Sequence, residues 1–318
     1  MKKLFLPVTS EIFFTKNDPE DIRLGDLARP ASFDELKAND YVVFGYPDDD
    51  GIKLNGGRTG AAEAPKLIRQ FLYKMTPSYK KAIVKNNIHD YGDLALTTGD
   101  IAVRHDMARK HLVKCLLKDA KVICLGGGHD YGFADAAAFV DRYQATTKKK
   151  PIIINFDAHM DVRPPKNGPN SGTPFYRLYE EHQNRFHLIE LGIQNQCNSP
   201  HHIRWAKERG IEIVDMDTLL TTGWGAVWTQ TVLKDLDADQ PVFISFDIDA
   251  LTAAEAGGCS QAWATGLKID DCLRFLTQLY TKCKVRGFGV YEVSPPLDRD
   301  FQTSKTAALL LHHFIFNS

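Results

Sequence analysis

The sequence lacks any long hydrophobic run. No window of the 318 residues approaches the roughly 18 apolar residues of a membrane-spanning helix. Residues 1–7 contain two lysines but only a very short apolar run, whereas a secretory signal needs an apolar stretch of about 7–15 residues. We therefore expect a soluble, cytoplasmic protein that does not act on a membrane.

The chain also lacks an excess of charge of one sign and a cysteine motif. Its 39 basic and 40 acidic residues give a formal net charge of -1, which argues against nucleic acid or an anionic membrane as the main partner. The six cysteines are scattered without a CxxC pair, so we interpret them as reduced thiols. A small molecule is the expected partner, and the sequence leaves a homo-oligomer open.

Apolar, β-branched runs alternate with segments of helical periodicity. Strands are predicted over 41–46, 121–125, 151–156, 187–191, 211–215, 241–246 and 285–293. Helices are predicted over 61–73, 101–117 and 269–282, and from Ser199-Pro200 to Gly210. This alternation indicates a three-layer α/β sandwich, in which helices cover both faces of a mainly parallel sheet. Because no composition shift marks a boundary, we expect a single domain over 1–318, with 1–38 as an N-terminal arm.

Acidic and histidine side chains follow three of these strands. They are Asp157, His159 and Asp161 after one strand, Asp247 and Asp249 after another, and His129 after a third strand and three glycines. Parallel sheets bind their ligands beyond the carboxyl ends of the strands, so we expect these six residues to share one edge. Four carboxylates and two imidazoles would need a counter-ion there, and a pair of divalent metals would provide it.

The donor types indicate which metal and which chemistry. Carboxylate oxygens with a minority of imidazoles suit Mn²⁺ better than Zn²⁺. Two such ions about 3.5–4 Å apart can share a water and lower its pKa enough to give hydroxide near neutral pH. That hydroxide would attack a trigonal carbon of a guanidine, amidine or amide. The alternative is that these residues are helix caps and surface ion pairs. It would be the better explanation for any one of the residues alone, but not for all six at the same edge of the sheet.

With these motifs the chain resembles the ureohydrolase superfamily, which includes arginases, agmatinases and formimidoylglutamases. The similarity begins at residues 45–48 and 55–61 and ends at 291–295. It implies an arginase-like sandwich with an eight-stranded sheet and a binuclear centre that holds two Mn²⁺ per chain. By motif, the implied metal ligands are His129, Asp157, His159, Asp161, Asp247 and Asp249.

Two segments are similar to formimidoylglutamases in particular. Residues 126–130 read GGGHD, whereas arginases and agmatinases typically have GGDHS. Arg163 and the SGTPF segment at 171–175 are similar to the formimidoylglutamase pattern. No histidine lies between His159 and His182, although arginases and agmatinases usually have one there. A guanidine hydrolase without that group would be handicapped in protonating its leaving amine.

The resemblance also implies substrate contacts. Glu292 matches the family glutamate that faces the cationic N–C–N group of the substrate, where a carboxylate is electrostatically favourable. Arg163, Ser171 and Thr173, with Asn170 as a weaker candidate, are expected to bind the glutamate end of the substrate. A structural ion pair for Arg163 and a helix cap or rim charge for Glu292 are the alternatives.

The leading hypothesis is a manganese hydrolase that cleaves N-formimidoyl-L-glutamate to L-glutamate and formamide, a step of histidine catabolism. Asp161 and Glu292 are its expected catalytic residues, with Asp161 accepting a hydrogen bond from the attacking hydroxide. The alternatives are a guanidino hydrolase of the arginase or agmatinase type, which releases urea, and an inactive metal-binding relative. Residues 254–261 depart from the usual family turn, and Asn55 and Arg58 are expected to have turn or packing roles.

Overall fold

One ten-stranded sheet runs through this computed structural model, which describes residues 4–80, 87–97, 99–144, 146 and 148–318. Its strands are β1 (Phe5–Leu6), β2 (Ala28–Pro30), β3 (Tyr41–Gly45), β4 (Ile88–Leu94), β5 (Lys121–Leu125), β6 (Ile152–Phe156), β7 (His187–Ile193), β8 (Glu212–Asp215), β9 (Pro241–Asp247) and β10 (Lys284–Tyr291). The order is β1-β4-β3-β5-β10-β9-β6-β7-β8, with β2 also paired to β4. All neighbours from β4 to β8 along this order are parallel, which confirms the predicted eight-stranded core of the sheet.

Helices cover both faces of the sheet. They are α1 (Leu24–Leu27), α2 (Asp50–Leu54), α3 (Ala64–Lys74), α4 (Ile101–Leu117), α5 (Tyr131–Tyr143), α6 (Pro174–His182), α7 (Pro200–Glu208), α8 (Met216–Thr222), α9 (Gly225–Gln230), α10 (Ile269–Lys282) and α11 (Gln302–Asn317). One hydrophobic cluster joins the sheet to α3, α10 and α11, and a second joins it to α4, α5, α6 and α7. Successive strand residues such as Val42 and Val43 belong to different clusters, because side chains alternate between the faces of a strand.

The predicted elements form with small changes at their ends. All seven predicted strands are present, and the helices predicted over 101–117 and 269–282 coincide with α4 and α10. Helix α7 begins as expected, because the hydroxyl of Ser199 accepts a hydrogen bond from the backbone N–H of His202 at 3.2 Å. Gly210 follows this helix with a φ of 71°, a left-handed conformation that glycine adopts without steric cost.

Strand β4 was not predicted, since its sequence IHDYGDL mixes charged residues and glycine with apolar ones. The buried guanidinium of Arg69 on α3 compensates these charges. It donates to Asp90 at 2.8 Å and to Asp93 at 2.5 Å, and the hydroxyl of Tyr73 also donates to Asp90 at 2.5 Å. The strand is therefore stabilised by partners that lie outside its own sequence.

The segment that precedes β3 lies at the β4 edge of the sheet. Strand β1 pairs antiparallel with β4, and β2 pairs parallel with it. Whether residues 1–38 form a separate arm stays a prediction, and residues 1–3 lie outside the described range. Among the described helices, none is both long enough and apolar enough to cross a membrane.

Candidate active site

Four neighbouring strands bring the candidate site together. Strands β5, β10, β9 and β6 are adjacent in the sheet, so their carboxyl ends lie side by side. His129 follows β5, Glu292 follows β10, Asp247 ends β9 and Asp157 follows β6. The six predicted metal ligands all lie at this edge, as the strand pattern predicts.

His129 is at the centre of the first group of ligands. Its fully buried Nδ1 lies 2.9 Å from Asp161 Oδ2, 3.1 Å from Asp157 Oδ2 and 3.3 Å from Asp247 Oδ2. None of these contacts has hydrogen-bond geometry, so Nδ1 has no hydrogen-bond partner among the described residues. A nitrogen lone pair that faces three carboxylate oxygens is a suitable environment for a divalent cation.

The second group is built around His159. Its Nδ1 lies 3.0 Å from Asp249 Oδ2 and 3.5 Å from Asp157 Oδ1. In each group the donor atoms lie within 4.8 Å of one another. Asp157 contributes one oxygen to each group, so its carboxylate can bridge two ions. The residues present thus fit a binuclear centre.

The pKa values reflect this excess of carboxylates. Burial alone would lower the pKa of His129, but its contacts with Asp157, Asp161 and Asp247 raise it well above the usual value. Burial raises the pKa of Asp247, and the neighbouring carboxylate of Asp249 raises it further. Without a metal, protons would have to neutralise part of this charge. Because metal ligands must be deprotonated, binding of divalent ions would displace those protons.

Neighbouring residues fix the orientation of His129. Its Nε2 lies 2.9 Å from the hydroxyl of Ser245, and its ring stacks on Tyr291 with the centroids 4.8 Å apart. A hydrogen bond at one ring nitrogen sets which tautomer presents the other nitrogen to a metal. In the glycine loop before His129, a Cβ on Gly127 would lie 1.9 Å from the carbonyl oxygen of Asp48, so only glycine allows this close approach.

The two residues predicted to be catalytic share an uncommon backbone conformation. Asp161 has a φ of 46° and Glu292 a φ of 64°, a left-handed region that is uncommon for residues other than glycine and that often occurs at functional sites. Glu292 accepts a hydrogen bond from the backbone N–H of His129 at 3.0 Å. Burial raises the pKa of Glu292 to about 8.

A polar cavity of about 240 Å³ opens onto these groups. Its lining includes the predicted ligands His159, Asp161, Asp247 and Asp249 and the predicted substrate residues Arg163, Ser171 and Glu292. The other lining residues are Ile52, Asn55, Gly56, Gly57, Ser260 and Gln261. The lining of the cavity therefore contains both carboxylates and a guanidinium.

Asn55 is a cavity residue that the sequence analysis assigned to a turn. Its side-chain oxygen accepts a hydrogen bond from Arg163 at 2.7 Å, and its Nδ2 donates to Ser171 Oγ at 3.1 Å. Arg163 thus contacts a neutral amide, and it forms no structural ion pair with a carboxylate of the described residues. The only signal for Asn55 in the sequence was its place in the motif at 55–61.

Asn170 and Thr173 shape the loop that presents Ser171. Thr173 Oγ1 donates to the carbonyl of Asn170 at 2.8 Å and accepts from its N–H at 3.1 Å. The side chain of Asn170 accepts from the N–H of Gly172 at 3.0 Å. Neither Asn170 nor Thr173 lines the described cavity, and their role as substrate contacts stays a prediction.

Arg58 holds the unusual 254–261 segment against the site. Its guanidinium donates to the carbonyl oxygens of Cys259 at 3.0 Å and Ser260 at 2.8 Å. Its backbone N–H donates to the hydroxyl of Ser260 at 2.8 Å. Ser260 and Gln261 form one wall of the cavity, so Arg58 has a packing role that shapes the pocket.

Comparisons with known proteins show which sequences and folds the chain resembles. Residues 39–316 match the sequence model of the arginase family. The chain is 29% identical over 279 residues to a formimidoylglutamase of Legionella pneumophila, covering 85% of this chain and 83% of that protein. It is 26% identical over 290 residues to a formimidoylglutamase of Streptococcus pyogenes, covering 90% of this chain and 87% of that protein.

Solved structures have the same fold. The crystal structure of formimidoylglutamase from Bacillus subtilis is similar with a TM-score of 0.82 and 28% identity, covering 95% of this chain and 93% of that chain. A Trypanosoma cruzi formiminoglutamase crystallised with Mn²⁺ is similar with a TM-score of 0.80, covering 93% of this chain and 98% of that chain. Its 23% identity supports the likeness in fold only.

Proposed function

Because this chain belongs to the arginase family, we propose that it is a manganese-dependent hydrolase that cleaves N-formimidoyl-L-glutamate to L-glutamate and formamide, in histidine catabolism. The observation that carries the proposal is the cavity itself. Two metal-binding groups that share Asp157 lie beside a pocket with the carboxylate of Glu292 and the guanidinium of Arg163 in its lining. The names of the relatives from Legionella pneumophila and Streptococcus pyogenes support the choice of substrate.

The proposed centre has a defined set of ligands. His129, Asp157, Asp161 and Asp247 would hold one Mn²⁺, and Asp157, His159 and Asp249 would hold the other. A bound pair of such ions would supply the acidity that activates water near neutral pH. The oxygens of Asp157 point to different groups, which lets this residue bind both ions.

Glu292 is placed to bind the reacting end of the substrate. The formimino group is a protonated amidine, and a buried carboxylate can accept charge-assisted hydrogen bonds from its N–H groups. The backbone N–H of His129 holds one oxygen of Glu292, so this carboxylate has a fixed orientation beside the ligands. Asp161 lines the cavity, where its carboxylate can accept a hydrogen bond from the attacking water.

The reaction balances with water as the only co-reactant. The water oxygen adds to the formimino carbon, and the bond from this carbon to the glutamate nitrogen breaks. The leaving nitrogen takes a proton and becomes the amine of L-glutamate, while the former amidine carbon leaves in formamide. The carboxylates of the substrate would be bound by Arg163 and by the hydroxyl of Ser171, which Asn55 holds next to each other.

The site offers less to a guanidino hydrolase. In the described residues, His159 is the only histidine that lines the cavity, and no second imidazole faces a leaving group there. A metal-binding relative without activity would not need Glu292 in a left-handed conformation beside the ligands. A guanidino hydrolase would release urea, and an inactive relative would release no product.

A product assay with three substrates tests the proposal. Protein reconstituted with Mn²⁺ is incubated separately with N-formimidoyl-L-glutamate, L-arginine and agmatine, with chelator-treated protein as the control. We expect formamide and L-glutamate from the first substrate alone, and none after chelation. Urea from arginine or agmatine would favour a guanidino hydrolase, and metal-loaded protein inert to all three would favour the inactive relative.

A further inference from the structure

Two polar residues face each other in the middle of the sheet, behind the metal ligands. Asn155 on β6 and Glu190 on β7 are partners in the strand register, and both are fully buried. On the same face of their strands, the preceding residues Ile153 and Leu188 are buried and apolar. Across the sheet, the register partner of Asn155 on β9 is Ser245, whose hydroxyl lies 2.9 Å from Nε2 of His129. The pair therefore extends the polar region behind the ligands, although neither residue belongs to the ligand set.

Asn155 connects Glu190 to a ligand. Its Nδ2 lies 2.8 Å from Glu190 Oε2 and 3.3 Å from Asp157 Oδ2. Asn155 and Asp157 are two residues apart, so Asn155 lies directly behind Asp157 on the same face of the strand. Asp157 is the one ligand common to both metal groups, so its orientation affects both ions at once.

Glu190 fixes which way the amide of Asn155 points. Oε2 of Glu190 accepts a hydrogen bond from Nδ2 of Asn155, whereas the amide of Asn155 has a donating end and an accepting end. With Oε2 of Glu190 on one side and the carboxylate of Asp157 on the other, only the NH₂ end of Asn155 satisfies both. A reversed amide would place its oxygen against the oxygen of Asp157 and repel it.

The pair does not have a full set of hydrogen-bond partners within the described fold. Oε1 of Glu190 has no hydrogen-bond partner among the described residues, and a buried polar group without a full set of partners destabilises a protein. Features that reduce stability are expected at functional sites.

We propose that Glu190 and Asn155 form a positioning pair that orients Asp157 for metal binding. The pair would place Oδ2 of Asp157 toward the His129 group and leave Oδ1 for the His159 group. The inference rests on the metal centre of the proposed function but not on its substrate. It makes Glu190 a determinant of metal affinity, although it contacts no ligand directly.

The test is Mn²⁺ binding by the metal-free full-length chain, with titration calorimetry for affinity and electron paramagnetic resonance for coupling between the two ions. Glu190→Gln retains size but lets the Asn155 amide reverse, so we expect Mn²⁺ affinity to fall about tenfold to a hundredfold, as for other residues that support metal ligands. Glu212→Gln, the same change on the adjacent strand β8, is the control and should bind normally. Asn155→Ala, and the double variant that combines it with Glu190→Gln, should each lose as much Mn²⁺ affinity as Glu190→Gln alone. The losses should not add, because Glu190 acts on Asp157 only through Asn155.

Thermal unfolding of the metal-free proteins separates positioning from a structural role. We expect metal-free Glu190→Gln to unfold at or above the wild-type temperature. Wild-type Mn²⁺ affinity in this variant, or an equal loss in Glu212→Gln, would overturn the inference. Wild-type protein that binds two Mn²⁺ but releases no formamide would instead reject the proposed substrate, so the two failures are distinguishable.

Discussion

The side chains that line the cavity offer opposite charges to different parts of one small substrate. Glu292 lies beside the ligands and accepts a hydrogen bond from the backbone of His129, whereas Arg163 lies on the wall and contacts Asn55. A substrate with a cationic amidine at one end and carboxylates at the other would match both. Each charge can be removed separately, which divides recognition of the substrate into two measurable parts.

Replacement of Glu292 by glutamine tests the amidine contact. The amide is nearly isosteric but lacks the negative charge, so one charge-assisted hydrogen bond worth about 1.5–3 kcal/mol would be lost. We expect kcat/KM for N-formimidoyl-L-glutamate to fall roughly tenfold to 150-fold, with Mn²⁺ affinity close to that of the wild type. Steady-state kinetics at saturating Mn²⁺ measure this, and an unchanged kcat/KM would remove Glu292 from substrate binding.

Replacement of Arg163 by methionine tests the carboxylate contact. Methionine retains much of the apolar stem but not the guanidinium fork that pairs with carboxylates. We expect KM for N-formimidoyl-L-glutamate to rise roughly tenfold to a hundredfold with a smaller change in kcat. Turnover of formamidine, which has no carboxylate, should not change. Arg204→Met, at an exposed position of α7, is the matched control, and an equal KM for both variants would contradict the assignment.

At the scale of secondary-structure elements, strand β4 depends on helix α3. Arg69 is fully buried and satisfies Asp90, Asp93 and the carbonyl oxygen of Gly92. Strand β3, which pairs with β4, leads into the loop that contains Asp48. The carbonyl oxygen of Asp48 accepts a hydrogen bond from the backbone N–H of Gly128, next to His129. The ion pairs of β4 involve none of the predicted ligands, and they stabilise this side of the sheet.

Arg69→Met should destabilise the protein without changing the metal centre. The substitution leaves the buried carboxylate of Asp90 without its cation, which typically costs about 3–5 kcal/mol. Urea denaturation of the metal-free protein measures the loss, and the Mn²⁺ stoichiometry of the folded variant should match that of the wild type. Arg274→Met, at an exposed ion pair of α10, should change stability by less than about 1 kcal/mol. An equally small change for Arg69→Met would contradict the role of this pair.

At the scale of the whole molecule, the metal centre concentrates negative charge in a chain whose net charge is close to zero. The formal charge is -1, yet four carboxylates and Glu292 lie close together at one edge of the sheet. The pKa of His129 and of His159 is raised well above the usual value by these carboxylates, against the effect of burial. Stability of the metal-free protein should therefore depend on pH in a characteristic direction.

The metal-free protein should lose stability as the pH rises from about 7 to about 8. A group whose pKa is higher in the folded state stabilises the fold when protonated, and this contribution disappears as the pH rises through the folded-state pKa. That applies to Glu292, whose pKa burial raises to about 8. It also applies to His129 and His159, whose pKa the neighbouring carboxylates raise well above the usual value. Histidines whose pKa burial lowers, such as His105 and His182, are neutral in both states above about pH 7.

Mn²⁺ should reverse this trend. Because ions compete with protons for the ligands, the stabilisation by a fixed Mn²⁺ concentration should increase over the same pH range. Thermal unfolding with chelator and with Mn²⁺, at two pH values, measures both effects. Metal-free protein that became more stable toward pH 8 would contradict the charge state described for the site.

The elements that the sequence predicts are those with local signals. Two apolar runs end at Phe156 and Phe246, and each is followed by acidic or histidine residues at every second position. This pattern was enough to place Asp157 and Asp247 at strand ends. Helices α4 and α10 were predicted with their observed bounds because their periodicity is regular. Strand β4 was missed because the charge on Arg69 that compensates it lies on another element.

By itself, the sequence determined the parallel sheet, the edge where the ligands gather and the ligand types, because periodicity and strand ends are written in neighbouring residues. Only the tertiary structure decided that Asp157 contributes an oxygen to each metal group, that Asn55 lies between Arg163 and Ser171, and that Glu190 lies opposite Asn155. These contacts join residues that are distant in the chain. They depend on the register between strands and on the packing of loops. No local pattern carries that information, since it arises only when the strands pair.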